Sequence, residues 1–253
     1  MQRIFLIIIT AFIGTAYAKP RVQVVPPEPP TVLVYNISEN QTVIGDNVDI
    51  VRPMASITKL MTSIVVLDHF ELTDKVSIGK KQTATVESLL TRVLVRSDNY
   101  ASELLAKAYP GGRENFLSAM NSKAKQLGLS NTQFNDPSGL IMTNTTTAHD
   151  LAKLVAAAGT YSFISKTSSQ PEIIETISGK KKSKTVTLAN TNKTILADFK
   201  NILVSKTGFT SRAGRCLVML VERQGAKYAI IILGEPSKQA RETVARNLLA
   251  LTT

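Results

Sequence analysis

Hydrophobic positions along the chain follow first a strand pattern and then a helical one. Two short runs rich in β-forming residues, Thr31 to Ile37 and Thr42 to Gly45, flank the turn-prone Ser38-Glu39-Asn40 and predict a hairpin. From Ser56 to about Phe70 the apolar residues recur at helical spacing. Further helical patterns cover residues 86–95, 100–108 and 113–127, and a capping box at 147–150 begins another. The middle of the chain is therefore predicted to be a block of helices.

Beyond Thr167 the pattern returns to strands and ends in a helix. Strands are predicted at residues 185–188, 202–206, 215–223 and 227–233, with Gln224-Gly225 as the hairpin turn between the last two. The final helix runs from Pro236 to Leu251, with an apolar face formed by Ala240, Val244, Leu248 and Leu251. This order predicts an α/β fold of the α+β type. The terminal strands share one antiparallel sheet flanked by helices, and the active-site cleft lies between this sheet and a helical lobe.

The N-terminus has the features of a secretory signal peptide. Arg3 precedes an apolar run from Ile4 to Gly14, and Ala16-Tyr17-Ala18 places small residues before a cleavage site. The run is shorter than the roughly 20 residues that span a bilayer, and Lys19 offers no cysteine for lipid attachment. We predict a signal peptide at 1–18, cleaved after Ala18, a proline-rich lead-in at 19–30, and one catalytic domain at 31–253. The protein is then periplasmic, with no stable membrane anchor after cleavage.

The formal net charge of +11 bears on binding partners rather than on the fold. An exported protein rarely meets nucleic acid, and the sequence has no basic motif interleaved with aromatic residues. Nucleic acid is therefore not predicted as a partner, and an anionic wall or membrane surface fits the charge better. The basic run from Lys180 to Lys184 is either a solvated loop or a segment that binds anions.

Metal and cofactor chemistry has little support in the sequence. Cys216 is the single cysteine, so no intrachain disulfide can form. His69 and His149 are the two histidines, and neither stands at a metal-ligand spacing or where a Ser-His-Asp triad needs one. Neither a metal site nor a cofactor is predicted.

A Ser-x-x-Lys motif begins the first helical pattern, at Ser56 and Lys59. Residues three apart lie on one face of a helix, so the lysine amine can reach the serine hydroxyl. A serine becomes nucleophilic when a neighbouring group takes its proton, and lysine can do so only if its pKa is lowered. The same spacing also occurs, in more polar settings, at Ser77/Lys80, Ser122/Lys125 and Ser178/Lys181.

Two further motifs distinguish the first copy from the others. Ser97-Asp98-Asn99 follows between two helical patterns, and Lys206-Thr207-Gly208 ends a predicted strand. Ser-x-Asn is common and recurs at Ser38-Glu39-Asn40, whereas Lys-Thr-Gly occurs once. In this order and in these settings, the three motifs are those of penicillin-binding proteins and class A β-lactamases.

Longer stretches around these motifs make the chain resemble a known family, the low-molecular-mass penicillin-binding D,D-peptidases. The stretches lie at residues 54–61, 95–99, 136–140, 147–152 and 205–210. The resemblance implies the fold of the serine β-lactamases and D,D-peptidases. It also implies hydrolysis of D-Ala-D-X bonds in peptidoglycan stem peptides through an acyl-enzyme, and covalent inhibition by β-lactam antibiotics.

The resemblance further implies a role for each matched residue. Ser56 is the acylated nucleophile and Lys59 the base of acylation, Ser97 relays a proton to the leaving amine, and Asn99 bonds Lys59 and the substrate amide. Lys206 supplies positive potential and helps to lower the pKa of Lys59. The residues at the end of the predicted strand bind the substrate: Thr207 holds a carboxylate, and Gly208 completes the motif. The backbone N–H of Phe209 forms the oxyanion hole with that of Ser56.

Specificity depends on a departure from the family pattern. Carboxypeptidases of this kind often have an arginine between two asparagines ahead of Lys-Thr-Gly, where this chain has Asn190-Thr191-Asn192. The missing arginine favours an endopeptidase that splits cross-links, with a carboxypeptidase that trims pentapeptides as the alternative.

A class A β-lactamase is a further alternative, although Asn131 to Leu140 contains Asp136 and no glutamate to activate water. A wall-binding module without catalysis is another, but it lacks support because every expected catalytic side chain is present.

Overall fold

The computed structural model describes residues 29–177 and 184–251 of the chain. The predicted signal peptide, the lead-in up to residue 28 and most of the basic run from Lys180 to Lys184 lie outside the described residues. The described strands are β1 (Thr31–Asn36), β2 (Gln41–Asp46), β3 (Arg52–Pro53), β4 (Lys75–Gly79), β5 (Gln82–Thr85), β6 (Thr145–Thr146), β7 (Glu172–Ile177), β8 (Lys184–Ala189), β9 (Ile202–Thr210), β10 (Gly214–Arg223) and β11 (Ala226–Glu235). The described helices are α1 (Lys59–Leu67), α2 (Val86–Thr91), α3 (Asn99–Ala108), α4 (Gly112–Gln126), α5 (Ala148–Thr160), α6 (Ser162–Ser168), α7 (Lys193–Asp198) and α8 (Lys238–Leu251).

One antiparallel sheet joins the two ends of the described chain, as predicted. Its strand order is β2-β1-β11-β10-β9, and β1 pairs with β11 from Thr31 opposite Leu233 onward. The β10–β11 hairpin turns at Gln224 and Gly225, which have φ values of 49° and 81°. Positive φ at both central residues is the geometry that matches the twist of a two-residue hairpin.

Both faces of this sheet are buried, which explains the unbroken apolar run in β10. Alternate side chains of a strand point to opposite faces. Helices of the middle lobe, α5 foremost, cover one face, and α8 covers the other. Cys216, Val218 and Leu220 pack toward the helical lobe, whereas Leu217, Met219 and Val221 pack into a second cluster with α8.

Helix α1 lies at the centre of the helical lobe and contacts α3, α4 and α5. Every residue from Lys59 to Val66 is buried. A helix surrounded on all sides has no solvated face, so the first side chain of α1, a lysine, is also enclosed. The position of Lys59 is therefore a consequence of the packing of the whole lobe.

The buried face of α8 differs from the prediction. Its buried residues are Arg241, Ala245, Leu248 and Leu249, with Val244 partly buried, while Leu251 is 62% exposed. The buried face of α8 is therefore rotated relative to the predicted apolar face. It includes Arg241, which the sequence pattern assigns to solvent.

Several elements were not predicted. The first helix begins with a 3₁₀ turn at Ala55–Thr58, and the helix predicted at 86–95 changes into a π-helical turn at Arg92–Arg96. The unpredicted strands and helices are short: β3 to β7, α6 and α7. Short elements of this kind bury few residues, so their hydrophobic periodicity is weak.

Candidate active site

The turn that presents Ser56 is held between two glycines. Ala55 has a φ of 48°, a region that non-glycine residues rarely adopt. A Cβ on Gly139 would lie 1.9 Å from the carbonyl oxygen of Ala55, and one on Gly208 would lie 3.1 Å from the backbone nitrogen of Ser56. Strand β9 and the loop before β6 can therefore approach the turn closely, and their packing keeps Ser56 at the mouth of the cleft.

Lys59 lies directly beneath Ser56. Its Nζ is 3.0 Å from Ser56 Oγ, 2.7 Å from Asn99 Oδ1 and 2.5 Å from the carbonyl oxygen of Ser138. Burial lowers the pKa of Lys59 to about 7, although the carboxylates of Asp136 and Asp98 act in the opposite direction. Near neutral pH a large fraction of this amine is therefore unprotonated and can accept a proton from Ser56.

The Ser97-Asp98-Asn99 turn places two side chains in the cleft and one outside it. Ser97 adopts the left-handed conformation at the end of the π-helical turn, with φ 58° and ψ 39°. Asp98 caps α3, because its Oδ1 accepts a hydrogen bond of 3.1 Å from the backbone N–H of Ala101. Asn99, the first residue of α3, reaches Lys59. The left-handed residue and the cap together reverse the chain so that Ser97 and Asn99 face the same space.

Lys206 enters the cleft from β9 and is fully enclosed. Its Nζ donates to Ser97 Oγ at 2.9 Å and to the carbonyl of Thr207 at 2.8 Å. Burial, and then the nearby charges of Lys59 and Arg241, lower the pKa of Lys206 well below its ordinary value. Burial is the main cause of the lowered pKa of Lys59. Repulsion between two ammonium groups is mutual, so the contribution of Lys206 to the lowered pKa of Lys59 stays a prediction.

The rim of the cleft brings Thr191 to the Lys-Thr-Gly motif. Thr207 Oγ1 donates a hydrogen bond of 2.7 Å to Thr191 Oγ1. The asparagines on either side serve the fold: Asn190 bonds the carbonyls of Ser168 and Gln170, and Asn192 bonds Ser205 Oγ. Thr191 is thus the member of this trio that borders the site.

Phe209 closes the same end of the cleft. Its side chain is 51% exposed, and the guanidinium carbon of Arg215 lies 3.7 Å from the centre of its ring. This cation–π contact holds the ring at the end of β9.

The loop at 136–140 has a function in the site that its sequence did not reveal. The Asp136 carboxylate accepts hydrogen bonds from the backbone N–H groups of Ser138, Gly139 and Ile141, at 2.5 to 2.6 Å. Asn144 ties the loop to the 3₁₀ turn before α1 by donating a hydrogen bond of 3.0 Å to Thr58 Oγ1. The resulting turn aims the Ser138 carbonyl at Lys59. Asp-Pro-Ser-Gly is a recognisable turn signal, but no sequence rule says which backbone oxygen it presents.

The remaining Ser-x-x-Lys copies lie away from this cleft. Ser77 and Lys80 are in the exposed β4–β5 hairpin, and Ser122 and Lys125 are on the exposed face of α4. Ser178 and Lys181 lie outside the described residues. Within residues 29–177 and 184–251, no group of three or more His, Cys, Asp or Glu side chains could hold a metal ion.

Comparison with known proteins gives both a family and a fold. The sequence pattern of one family, D-alanyl-D-alanine carboxypeptidase, matches residues 72–237. The D-alanyl-D-alanine endopeptidase of Escherichia coli is 36% identical over 219 residues, which cover 80% of this chain and 70% of the relative. The family match begins after Ser56 and Lys59, so the geometry of these two residues is separate evidence.

Solved structures share the fold over most of the chain. The Streptomyces K15 DD-transpeptidase superposes with a TM-score of 0.80 at 26% identity, covering 87% of this chain and 94% of the other. Penicillin-binding protein D2 of Listeria monocytogenes, in its ampicillin-bound form, superposes with a TM-score of 0.76 at 28% identity, covering 88% and 96%.

Gly139→Ala tests how closely the loop must approach the turn. Gly225 has nearly the same φ, 81° against 82°, but a Cβ there meets nothing within 4 Å. Gly225→Ala therefore reports backbone strain alone, roughly 1–2 kcal/mol. Gly139→Ala adds overlap with Ala55 and should lower the free energy of unfolding by about 1–3 kcal/mol more, as overpacking does. Urea denaturation of both variants measures the difference. Equal losses would mean that the loop does not need this contact.

Proposed function

Since this chain belongs to the D-alanyl-D-alanine carboxypeptidase family of serine D,D-peptidases, we propose that it cleaves D-Ala-D-X bonds through an acyl-enzyme on Ser56. The observation that carries this proposal is the buried amine of Lys59, 3.0 Å from Ser56 Oγ and with its pKa lowered to about 7. A base with a pKa near the working pH combines a useful unprotonated fraction with sufficient basicity.

Acylation begins when the neutral Lys59 amine takes the proton of Ser56 as Oγ attacks the carbonyl carbon of the scissile bond. Negative charge then develops on the carbonyl oxygen of the tetrahedral intermediate. The backbone N–H groups of Ser56 and Phe209 stabilise this charge. Gly208 permits that arrangement, because it lets β9 pass close to the backbone of Ser56.

Collapse of the intermediate breaks the C–N bond and needs a proton on the departing nitrogen. Ser97 relays to this nitrogen the proton that Lys59 took from Ser56, which returns the Lys59 amine to its neutral form. Lys206 donates a hydrogen bond of 2.9 Å to Ser97 Oγ and so orients the hydroxyl. Asn99 holds the Lys59 amine and offers its amide to the substrate backbone. The ester on Ser56 is then hydrolysed by water, which releases the acid and regenerates the serine hydroxyl.

β-Lactam antibiotics are proposed to acylate the same serine. Attack of Ser56 on the lactam carbonyl opens the ring and leaves the antibiotic esterified to the enzyme. The ampicillin-bound Listeria relative supports this proposal. A class A β-lactamase activity has less support, because Asp136, the acid in the expected loop, is 2% exposed and occupied by backbone N–H groups. It is not free to activate a water molecule.

We further propose that cross-linked peptidoglycan, rather than a pentapeptide end, is the better substrate. Thr191 lies against Thr207, where an arginine would form a bidentate pair with a free terminal carboxylate. In a cross-linked substrate, a carboxylate lies on the carbon next to the nitrogen of the scissile bond. Thr207 and Lys206 can hold this carboxylate without an arginine. The Escherichia coli relative is itself named an endopeptidase. A carboxypeptidase that trims pentapeptides is the alternative.

The remaining assignments concern location and organisation. We propose that residues 1–18 are a signal peptide cleaved after Ala18, that 19–30 form a lead-in, and that 31–253 are one catalytic domain acting in the periplasm on peptidoglycan stem peptides. Within the described part of the chain, no helix is long and apolar enough to cross a membrane.

The nucleophile is tested by labelling with ampicillin. The mature protein should gain the mass of one antibiotic molecule, on the peptide that contains Ser56. Ser56→Ala should remove the label, whereas the matched change Ser122→Ala, at an exposed copy of the motif, should leave it. A label that persists in Ser56→Ala, or that maps to another serine, would contradict the assignment.

Substrate preference is tested by comparing kcat/KM for a cross-linked muropeptide dimer and a pentapeptide monomer in one buffer. The dimer should be preferred by roughly ten- to a hundredfold. This factor corresponds to one charged hydrogen bond, the contact that a pentapeptide's free carboxylate does not find because Thr191 replaces an arginine. Thr191→Arg should shift the ratio toward the pentapeptide. Pentapeptide trimming by the unaltered enzyme at an equal or faster rate would refute the inference from Thr191.

A further inference from the structure

A groove of about 700 Å³ runs beside the catalytic cleft. Its walls are the β4–β5 hairpin, α2, the first turns of α3 and strand β7. This volume lies within the roughly 300–1,000 Å³ typical of ligand sites. No step of the proposed acylation uses it.

Two unpaired strand edges border the groove. Consecutive residues Thr83 to Thr85 of β5 and Ile173 to Thr176 of β7 line it. Among the described strands, β5 pairs with β4 alone and β7 with β8 alone. A free edge offers backbone N–H and C=O groups to an extended chain, and many peptide-binding proteins use such an edge. The groove is therefore suited to a peptide in extended conformation.

Both walls of the groove end at residues of the catalytic cleft. In α3, Asn99 reaches Lys59 while Tyr100 and Leu104, one turn apart, line the groove. On the other side, the β7–β8 hairpin leads into Thr191, which is bonded to Thr207. The backbone N–H of Thr191 also donates to the carbonyl of Val95, just before the Ser97 turn. Thr191 thus contacts both the Lys-Thr-Gly motif and the segment that precedes α3, one wall of the groove.

The mouth of the groove offers exposed apolar side chains to an extended peptide. Ile174 and Tyr100 are 69% and 64% exposed at its mouth. Arg92 and Glu175 form an ion pair at 2.6 Å, and Ser88 also bonds Glu175. This pair fixes β7 to α2, so the edge is held in place before a ligand arrives. Glu87 and Asp98, which also line the groove, leave its wall with a negative charge.

We propose that this groove binds the leaving strand of a cross-linked substrate, with its peptide arm extended along the free edge of β7. The proposal rests on the proposed function, which places the carboxylate next to the leaving amine at Thr207. The rest of that strand continues past Thr191 to β7. A substrate that ends at its terminal D-alanine has no such arm and leaves the groove empty.

Binding to the inactive Ser56→Ala protein tests the proposal. Calorimetry compares a cross-linked muropeptide dimer with a pentapeptide monomer. The dimer should bind at least about tenfold more tightly, an amount that burial of one isoleucine side chain can supply. Adding Ile174→Asp should abolish the difference. Val43→Asp, a matched change at a 56% exposed strand residue on β2, should keep it.

Hydrogen exchange on the same complexes reports the backbone contacts directly. Amides of residues 172–177 should gain protection with the dimer and not with the monomer. Equal affinity for the two ligands, or protection that omits this segment, would overturn the proposal. Failure of the proposed function is a separate result, visible as an absence of ampicillin on Ser56 in the protein that retains this serine.

Discussion

The enclosure of the Lys59 amine is the constraint on which the rest of the site depends. An ordinary lysine is protonated at neutral pH and cannot take a proton from serine. Here α1 is buried along its length, and the amine has the oxygens of Ser56, Asn99 and Ser138 as neighbours. Loss of water disfavours the ammonium form of Lys59. Hydrogen bonds with these three oxygens replace those that water would make to the amine. The packing of the helical lobe thus determines the chemistry at the serine.

The polar side chains of the cleft form two separate hydrogen-bonded groups. One joins Ser56, Lys59 and Asn99, and the other joins Ser97 to Lys206. The charge of Lys59 lowers the pKa of Lys206 in addition to burial, so protonation of one amine disfavours protonation of the other. Two amines coupled in this way titrate together rather than independently. Such coupling suits a reaction in which a proton leaves one serine and reaches the leaving nitrogen through another.

Sequence predicted the features that depend on local pattern or on motif order. The motif set and the stretches around it identified the family, which the comparisons confirm. The terminal strands and the Thr147 cap were also correct. The Ser138 carbonyl, the Thr191–Thr207 contact and the buried Arg241 were not predicted, because each depends on segments far apart in the chain. The left-handed Ala55 escaped prediction because packing by Gly139 and Gly208, not local preference, imposes it.

The pH dependence of ampicillin acylation tests the role of Lys59 most directly. The base acts only when unprotonated, so lowering the pH through the pKa of Lys59 must remove activity. Since burial lowers this pKa to about 7, the rate constant should rise about tenfold per pH unit below 7 and level off above it. Lys59→Arg, which stays protonated, should be at least about a hundredfold slower and lack this rise. A rise centred near 10.5, the ordinary lysine value, or none at all would contradict the account.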